Sequence, residues 1–208
     1  MISVIIPAFN EERVIESTLK SLPSDVEKIV VCNACTDNTA EIARKYGKVV
    51  ELSEKGVSKA RNRGVEEASF DKIIFLDADI KVDENVISMI LESNANIGTT
   101  KVKSNSDYKI DRTIMWLKSN IHRFGFNTGL IFCTKEMYER IGGFDESKVI
   151  HEDGKFLRAG KKKGRFDVLD CYVFNDMRRF RQKGYLRIVW FWVRETLFSS
   201  GKDYDAVR

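Results

Sequence analysis

Short apolar runs alternate with amphipathic stretches through the first half of the chain, and this alternation predicts alternating strands and helices. The predicted strands span residues 2–6, 28–31, 49–52 and 72–76. The predicted helices between them span residues 11–22, 36–46 and 57–68. These strands are too uniformly apolar for a half-exposed sheet and are typical of a parallel sheet covered on both faces. The pattern therefore predicts a doubly wound α/β layer with its ligand crevice at the carboxyl ends of the strands.

The second half of the chain keeps strands and helices but loses this regular alternation. The pattern predicts helices at residues 84–93, at 135–141 and through Trp116, and strands at residues 97–102, 129–133 and 168–174. A polar loop covers residues 104–109. Because neither an internal repeat nor a linker rich in Pro, Gly or Ser divides the halves, we predict one α/β domain.

Composition supports a single folded core. The 208 residues are 43% hydrophobic and 32% charged, which excludes a disordered chain and is short for two independent domains. The longest apolar run near the C-terminus, residues 188–193, is far below the ~18 residues that a membrane-spanning helix needs. Since the N-terminus has no basic leader, we expect a cytoplasmic location with reduced cysteines. Cys32 and Cys35 form a Cys-x-x-Cys pair but lack the second close pair of a structural zinc site.

Charge is distributed unevenly along the chain. Residues 158–208 carry 13 Lys and Arg against 6 Asp and Glu, whereas residues 1–157 carry 22 against 25. A basic quarter of this kind favours an anionic partner such as a phosphate, a lipid headgroup or a nucleic acid, although a solvated surface gives the same counts. No nucleic-acid-binding motif accompanies it, so we expect no nucleic-acid partner.

The clearest chemical signal is Asp77-Ala78-Asp79 at the end of an apolar strand. Side chains two positions apart on a strand point the same way, so Asp77 and Asp79 are expected to face one ligand in the crevice. Neighbouring carboxylates repel each other unless a cation lies between them, and a hard divalent ion that also binds substrate phosphates fits this arrangement. The alternative is a strand-terminal Asp followed by an ordinary turn Asp.

Two further polar segments could complete a site. His151-Glu152-Asp153 opens an amphipathic helix, where the acids serve either as capping residues or as a general base. The basic segment of residues 55–64 enters another helix and could cradle phosphate or ribose. It lacks the glycine spacing of a dinucleotide fingerprint or a P-loop.

In their order along the chain, these segments resemble glycosyltransferase family 2, whose members have the GT-A fold and use nucleotide-diphosphate sugars. The matching segments are Val4-Ile5-Ile6-Pro7-Ala8-Phe9-Asn10-Glu11-Glu12, Ala60-Arg61-Asn62-Arg63-Gly64, Asp77-Ala78-Asp79, Gly142-Gly143-Phe144-Asp145-Glu146 and Glu152-Asp153. Each is weak alone, but five in family order across residues 2–165 are specific. The resemblance implies a GT-A-like α/β fold, with a Rossmann-like, mostly parallel central sheet flanked by helices and a C-terminal acceptor-side helical extension.

The resemblance also implies roles for individual residues. Mg²⁺ or Mn²⁺ would bind at Asp79 and Asp77, with His151 as a further candidate ligand. Asp153 would be the general base, and Glu152 would position the acceptor or exchange roles with Asp153. The implied nucleotide-sugar contacts are Pro7, Phe9, Glu11, Asn33, Arg61 and Asp77.

One departure from the family pattern concerns recognition of the base. Members usually show Asp-Asp-Gly-Ser-Thr-Asp after the second strand, where this chain has Cys32-Asn33-Ala34-Cys35-Thr36-Asp37. Asn33 falls on the second Asp, which accepts a hydrogen bond from the base in relatives that use a uridine donor. Because an amide both accepts and donates, the base preference stays open.

The resemblance implies a glycosyltransferase domain over residues 1–175, with a nucleotide-sugar half at about 1–105 and an acceptor half at about 106–175. We expect residues 176–208 to form a basic amphipathic segment packed on this domain. Its aromatic and arginine residues would face the same domain, a second subunit or a membrane surface, so a homodimer and a peripheral membrane location are both compatible with it. The Gln-x-x-Arg-Trp motif of processive synthases is absent.

We therefore predict a metal-dependent, inverting, non-processive glycosyltransferase that acts on a glycan or a lipid-linked acceptor. One alternative is a nucleotidyltransferase, which normally needs a glycine-rich phosphate loop that Pro7-Ala8-Phe9-Asn10 does not provide. The other is a sugar-nucleotide-binding protein without catalysis, against which the retained acids at Asp77, Asp79 and Glu152-Asp153 argue.

Overall fold

The computed structural model describes residues 1–120, 129–147 and 152–185, which form eight strands and eight helices. The strands are β1 (Ser3–Ala8), β2 (Glu27–Asn33), β3 (Lys48–Leu52), β4 (Lys72–Leu76), β5 (Ile80–Val82), β6 (Ile97–Ser104), β7 (Leu130–Thr134) and β8 (Phe166–Asn175). The helices are α1 (Ile15–Lys20), α2 (Thr39–Arg44), α3 (Val57–Glu66), α4 (Val86–Glu92), α5 (Lys109–Asn120), α6 (Lys135–Ile141), α7 (Glu152–Lys163) and α8 (Arg178–Lys183).

All eight strands join one mixed sheet in the order β3-β2-β1-β4-β7-β6-β8-β5. β1, β2, β3 and β4 are parallel neighbours, as their uniform apolar pattern predicted. β7 runs antiparallel to both β4 and β6, and β5 runs antiparallel to β8, whereas β6 and β8 are parallel. The prediction of a mostly parallel, Rossmann-like α/β sheet is thus confirmed, with β5 and β7 as the antiparallel exceptions.

The sheet curls because β4 and β5 are joined by only Asp77, Ala78 and Asp79, yet three other strands lie between them in the sheet. A flat sheet would separate β4 from β5 by ~19 Å. Four residue steps of extended chain span at most ~14 Å. The curl therefore brings the edge strand β5 close to the end of β4. Asp77 and Asp79 lie in the short loop that connects these two strands.

Each face of the sheet carries its own hydrophobic core. Alternation along β1 shows the division, because Val4 and Ile6 lie in one core and Ile5 lies in the other. Helices α1, α2 and α4 cover the first face, and α3, α6 and α7 cover the second. Burying each such isoleucine or valine contributes about 1.5–3 kcal/mol, so the fold holds the strand ends rigidly in place.

The structure differs from the sequence pattern mainly at the boundaries of elements. The helices predicted at residues 11–22 and 36–46 are shorter, at Ile15–Lys20 and Thr39–Arg44. Asn10 is in a left-handed conformation, with φ 54°, and Asp37 Oδ1 accepts from the Thr39 amide at 3.0 Å, so both preceding segments form turns. In the three described ranges, no helix has the length and apolar character to cross a membrane.

Candidate active site

The carboxyl ends of the parallel strands gather the polar residues that the motifs singled out. Ala8, Asn33 and Leu76 are the last residues of β1, β2 and β4, which are neighbours in the sheet. Asp77 and Asp79 follow Leu76 directly. This is the edge at which α/β sheets bind their ligands, and the sequence predicted it.

The loop that carries the two aspartates is held by its backbone. The Asp77 amide donates to the Gly129 carbonyl at 2.9 Å, and the Ala78 carbonyl accepts from Thr18 Oγ1 at 2.7 Å. The Asp79 carbonyl accepts from the Asp176 amide at 3.3 Å. These bonds hold the backbone of the loop in place, and Asp77 and Asp79 are both half-exposed.

Arg61 on α3 joins the aspartate loop to the start of α7. Its Nη2 atom lies 3.1 Å from Asp77 Oδ1. Its Nη1 atom lies 3.1 Å from Glu152 Oε1 and 2.6 Å from Asp153 Oδ1. One guanidinium thus brings together three carboxylates that the sequence places far apart, and the planar fork of an arginine is suited to such a contact.

The charge balance of this cluster is unusual for a buried site. The Arg61 side chain is 3% exposed, and its burial alone would lower the pKa of the guanidinium. The carboxylates of Asp153, Asp77 and Glu152 outweigh burial, so the pKa of Arg61 is raised. Three carboxylates around one guanidinium leave a surplus of negative charge at the crevice, which a cation would relieve.

The neighbours of Arg61 in its motif support this geometry. Asn62 accepts from the Phe144 amide at 2.9 Å and donates to the Phe144 carbonyl at 2.9 Å, which holds the turn after Gly142-Gly143. A Cβ at Gly64 would lie 2.3 Å from Ile5 Cγ2, so only glycine lets α3 pack this closely on β1. The Phe144 ring lies 5.1 Å from the Arg61 guanidinium carbon. The motif therefore positions the guanidinium as well as supplying it.

The aspartates fit the divalent metal that the resemblance implies. Mg²⁺ in phosphate-binding sites usually takes one or two carboxylates together with substrate phosphates and water. Asp79 and Asp77 supply two such carboxylates, and the Asp77 side chain is 40% exposed. Across the described ranges, no cluster of three or more His, Cys, Asp or Glu side chains has metal-binding geometry. His151 lies outside the described residues.

The residues predicted to contact the nucleotide differ in how open they are. Pro7 is buried within β1, whereas Phe9 is half-buried and its ring lies 4.3 Å from Lys55 Nζ. Glu11 Oε2 lies 3.4 Å from Arg178 Nη2. This last contact ties the basic tail to the loop after β1, which the sequence pattern did not predict.

Asn33 has a structural role that the sequence did not reveal. It is 2% exposed, its Nδ2 donates to the Ala8 carbonyl at 2.9 Å, and its Oδ1 accepts from the Gly56 amide at 3.2 Å. The amide therefore joins the ends of β1 and β2 to the start of α3. An aspartate at this position would lose the donor to Ala8.

The Cys-x-x-Cys pair lies beside Asn33, and both thiols are free. Cys35 Sγ donates to the Ala8 carbonyl at 3.4 Å. A hydrogen bond from Cys32 lowers the pKa of Cys35 to about 7, and the same contact, with burial, raises the pKa of Cys32. Cys35 is therefore the more reactive thiol of the two.

Known structures share this fold. S. aureus TarS 1–349 in complex with UDP-GlcNAc has a TM-score of 0.69 and 23% identity, over 84% of this chain and 58% of that one. Mannosyltransferase PcManGT from Pyrobaculum calidifontis in complex with GDP-Man and Mn²⁺ has a TM-score of 0.63 and 21% identity, over 82% and 56%. The fold is thus that of GT-A glycosyltransferases.

Comparison of the amino-acid sequence with known families assigns the chain to one family. The chain matches the family Glycosyl transferase family 2 over residues 3–173, and it belongs to that family. Glycosyltransferase AglE of Haloferax volcanii is 24% identical over 201 residues, which are 82% of this chain and 66% of AglE. The chain spans between 56% and 66% of the length of these three relatives.

Proposed function

We propose that this chain transfers a sugar from a nucleotide-diphosphate donor to a hydroxyl of a glycan or a lipid-linked acceptor, in a single displacement that inverts the anomeric centre. The observation that carries the proposal is the Arg61 bridge between Asp77 and Asp153. It joins the carboxylate at the end of β4, beside the donor crevice, to the carboxylate at the start of α7. A displacement needs a group on each side of the sugar, and these two carboxylates are the candidates for the two positions.

Asp153 would take the proton from the acceptor hydroxyl as that oxygen attacks the anomeric carbon. Its side chain is 18% exposed and Glu152 is 11% exposed, so Asp153 is the more accessible of the two. Its Oδ1 lies 2.6 Å from Arg61 Nη1, and a carboxylate is the form that accepts a proton. Glu152 would hold Arg61 in place and position the acceptor.

Asp79 and Asp77 would hold Mg²⁺ or Mn²⁺ against the donor diphosphate. Bound there, the ion supplies charge that stabilises the leaving nucleoside diphosphate. PcManGT, which shares the fold, was solved with GDP-Man and Mn²⁺. The nucleoside pocket would be formed by Phe9, Glu11 and Asn33, with Pro7 behind them. TarS, which shares the fold, was solved with UDP-GlcNAc and with UDP.

The test is a panel of UDP-, GDP- and dTDP-sugars offered to the protein with Mn²⁺, with Mg²⁺ or with a chelator. We expect one donor to raise the melting temperature and to release nucleoside diphosphate only with metal. Binding of a donor without its cleavage would favour a sugar-nucleotide-binding protein. Release of pyrophosphate from a nucleoside triphosphate and a sugar phosphate would favour a nucleotidyltransferase.

We further propose a cytoplasmic protein that meets the membrane surface through residues 176–208. The described part of this segment packs on the domain, because Arg181 Nη2 lies 3.0 Å from Asp111 Oδ2 and Tyr185 donates to Asp111 at 2.7 Å. The aromatic residues Trp190, Phe191 and Trp192 lie outside the described residues. Co-sedimentation with anionic vesicles at low salt, and with neutral vesicles as the control, tests the membrane contact. Sedimentation velocity in the same buffer tests the homodimer.

A further inference from the structure

A cleft of about 860 Å³ lies between α5 and the carboxyl halves of β6 and β8. The side chains that give it its chemical character are Lys101, Lys103, Arg112, Trp116, Tyr172 and Phe174. The loop of residues 104–107 borders it with serine, asparagine and aspartate side chains. We call this feature the β6–α5 cleft.

The walls of the cleft are β6, β8 and α5. Among the described residues, β6 pairs with β7 at Ile97, Gly98 and Thr99, and with β8 as far as Ser104. Beyond Thr99, α5 approaches the edge of β6, where the Val102 amide donates to Ser119 Oγ at 3.4 Å. The side of α5 that carries Ser119 therefore forms one wall of the cleft.

Strand alternation puts the basic and aromatic side chains on the same face. Lys101 pairs in register with Tyr172, and Lys103 pairs with Phe174. Val102 and Val173, which lie between them, are buried in the core on the opposite face.

The cleft carries a surplus of positive charge. Lys101 Nζ lies 2.6 Å from Asp170 Oδ1, so that charge is balanced. Lys103 Nζ instead lies 3.5 Å from the centre of the Tyr172 ring, and Arg112 is exposed. Asp107 is the acidic residue that lines the cleft. Cations over aromatic rings remain available to an anion, which would add to the cation–π contact without displacing it.

The aromatic surfaces favour a ligand with an apolar face. The Trp116 side chain is 64% exposed, and Tyr172 and Phe174 are half-buried. Aromatic rings of this kind give a large contact area with a polar rim, which suits the C–H face of a sugar ring. The volume is within the ~300–1,000 Å³ of small-molecule sites.

The cleft opens at the same edge of the sheet as the candidate active site. The Asn105 amide donates to the Asn175 carbonyl at 3.2 Å, and the next residue, Asp176, donates to the Asp79 carbonyl at 3.3 Å. Two strand spacings, ~10 Å, therefore separate the backbone at the rim of the cleft from the backbone of Asp79. An extended sugar bound in the cleft could reach the crevice.

We propose that the β6–α5 cleft binds the acceptor, and that the acceptor is an anionic sugar whose phosphate or carboxylate group lies between Lys103 and Arg112. This inference rests on the proposed function, because it names the acceptor class for the same reaction. Trp116 and Tyr172 contact the sugar ring, and the serine-rich loop binds its hydroxyl groups.

Binding is tested with glucose 6-phosphate, glucuronate and glucose as probes, by ligand-observed NMR on the full chain with and without UDP and Mn²⁺. We expect at least one anionic probe to bind at least tenfold more tightly than glucose, and the better of the two identifies the anionic group. The paired substitutions Lys103→Gln and Arg112→Gln should remove this preference. The matched control is Lys45→Gln with Arg158→Gln, two exposed cations outside the cleft.

The outcomes separate this inference from the proposed function. If both anionic probes bind no better than glucose, or if the cleft variant binds them as the control variant does, the acceptor inference is wrong. Donor binding is measured on the same samples from the rise in melting temperature with each nucleotide sugar and metal. If no nucleotide sugar raises the melting temperature, the proposed function fails, and anion binding by the cleft would then no longer identify an acceptor site.

Discussion

Arg61 Nη1 lies 2.6 Å from Asp153 Oδ1, and the same guanidinium reaches Asp77 at 3.1 Å. This contact connects the two halves of the site, because α3 and β4 come from the first half of the chain and α7 comes from the second. Among these four described side chains, it also places the one positive charge between three carboxylates. The geometry of the acid residues therefore depends on one arginine.

Arg61→Met should lower the free energy of unfolding by about 3–5 kcal/mol, because removing one partner of a buried ion pair leaves the others unbalanced. Urea unfolding measures this loss. The control is Arg63→Met on the same helix, whose exposed pairs with Glu66 and Glu67 should contribute about 1 kcal/mol or less. Adding Asp153→Asn to Arg61→Met should recover part of the loss. If Arg61→Met and Arg63→Met lower the free energy of unfolding equally, a structural role for the Arg61 bridge is contradicted.

The sequence predicted the gathering of acids at this edge but not the bridge between them. Strand periodicity and the Asp77-Ala78-Asp79 motif were sufficient to place the aspartates, since parallel strands end at one edge. Arg61 stays a predicted nucleotide-sugar contact, and the sequence did not predict that its side chain also contacts carboxylates from two elements. That contact depends on how α3 and α7 pack, and packing across distant segments leaves no local pattern.

The same limit applies to β5 and to the tail. Ile80–Val82 is too short for a clear alternation, and its place beside β8 follows from the curl of the sheet. The contact of Arg178 with Glu11 likewise joins distant segments. The basic composition of the tail predicted an anionic partner. It did not predict that a carboxylate of the same chain would contact the tail.

Asp153→Asn should lower the rate of transfer by about 10²- to 10⁴-fold, which is the usual contribution of a general base. Donor affinity should stay near that of the unsubstituted protein, because the amide changes proton transfer and leaves the donor crevice intact. Initial rates and a donor titration give the two quantities. Glu152→Gln is the matched variant. If Glu152→Gln abolishes transfer while Asp153→Asn retains it, Glu152 is the general base and Asp153 positions the acceptor.

Asp79→Asn should reduce metal-dependent turnover while changing the melting temperature little, because the side chain is half-exposed at the crevice. An amide oxygen is a weaker ligand for a hard cation than a carboxylate, so the Mn²⁺ concentration for half-maximal activity should rise. Asp71→Asn, an exposed acid before β4, is the control. Full activity of Asp79→Asn in a chelator would show that the metal assignment is wrong.

Asn33→Ala should lower both UDP affinity and stability. It removes the acceptor for the Gly56 amide and the donor to the Ala8 carbonyl, and unsatisfied buried groups cost about 1–3 kcal/mol. Calorimetry of UDP binding and urea unfolding measure the two effects. The exposed Asn38→Ala should change stability by about 0.5 kcal/mol or less. A loss of UDP affinity without a loss of stability would assign Asn33 to the ligand alone.

Cys35 should react with iodoacetamide faster than the other cysteines, with a rate that is half-maximal near pH 7. The thiolate is the reactive form, and its fraction rises with pH through the pKa, which the hydrogen bond from Cys32 lowers to about 7 in Cys35. Burial raises the pKa of Cys171 to about 11 and raises that of Cys133 still more. The pKa of Cys32 is raised as well, so these three thiols should react more slowly. Mass spectrometry of peptides after timed labelling gives the rate at each site. Cys32→Ala removes the hydrogen bond, so labelling of Cys35 at pH 7 should slow in that variant. A Cys35 rate that keeps rising above pH 8.5, with or without Cys32, would contradict the pairing of the two thiols.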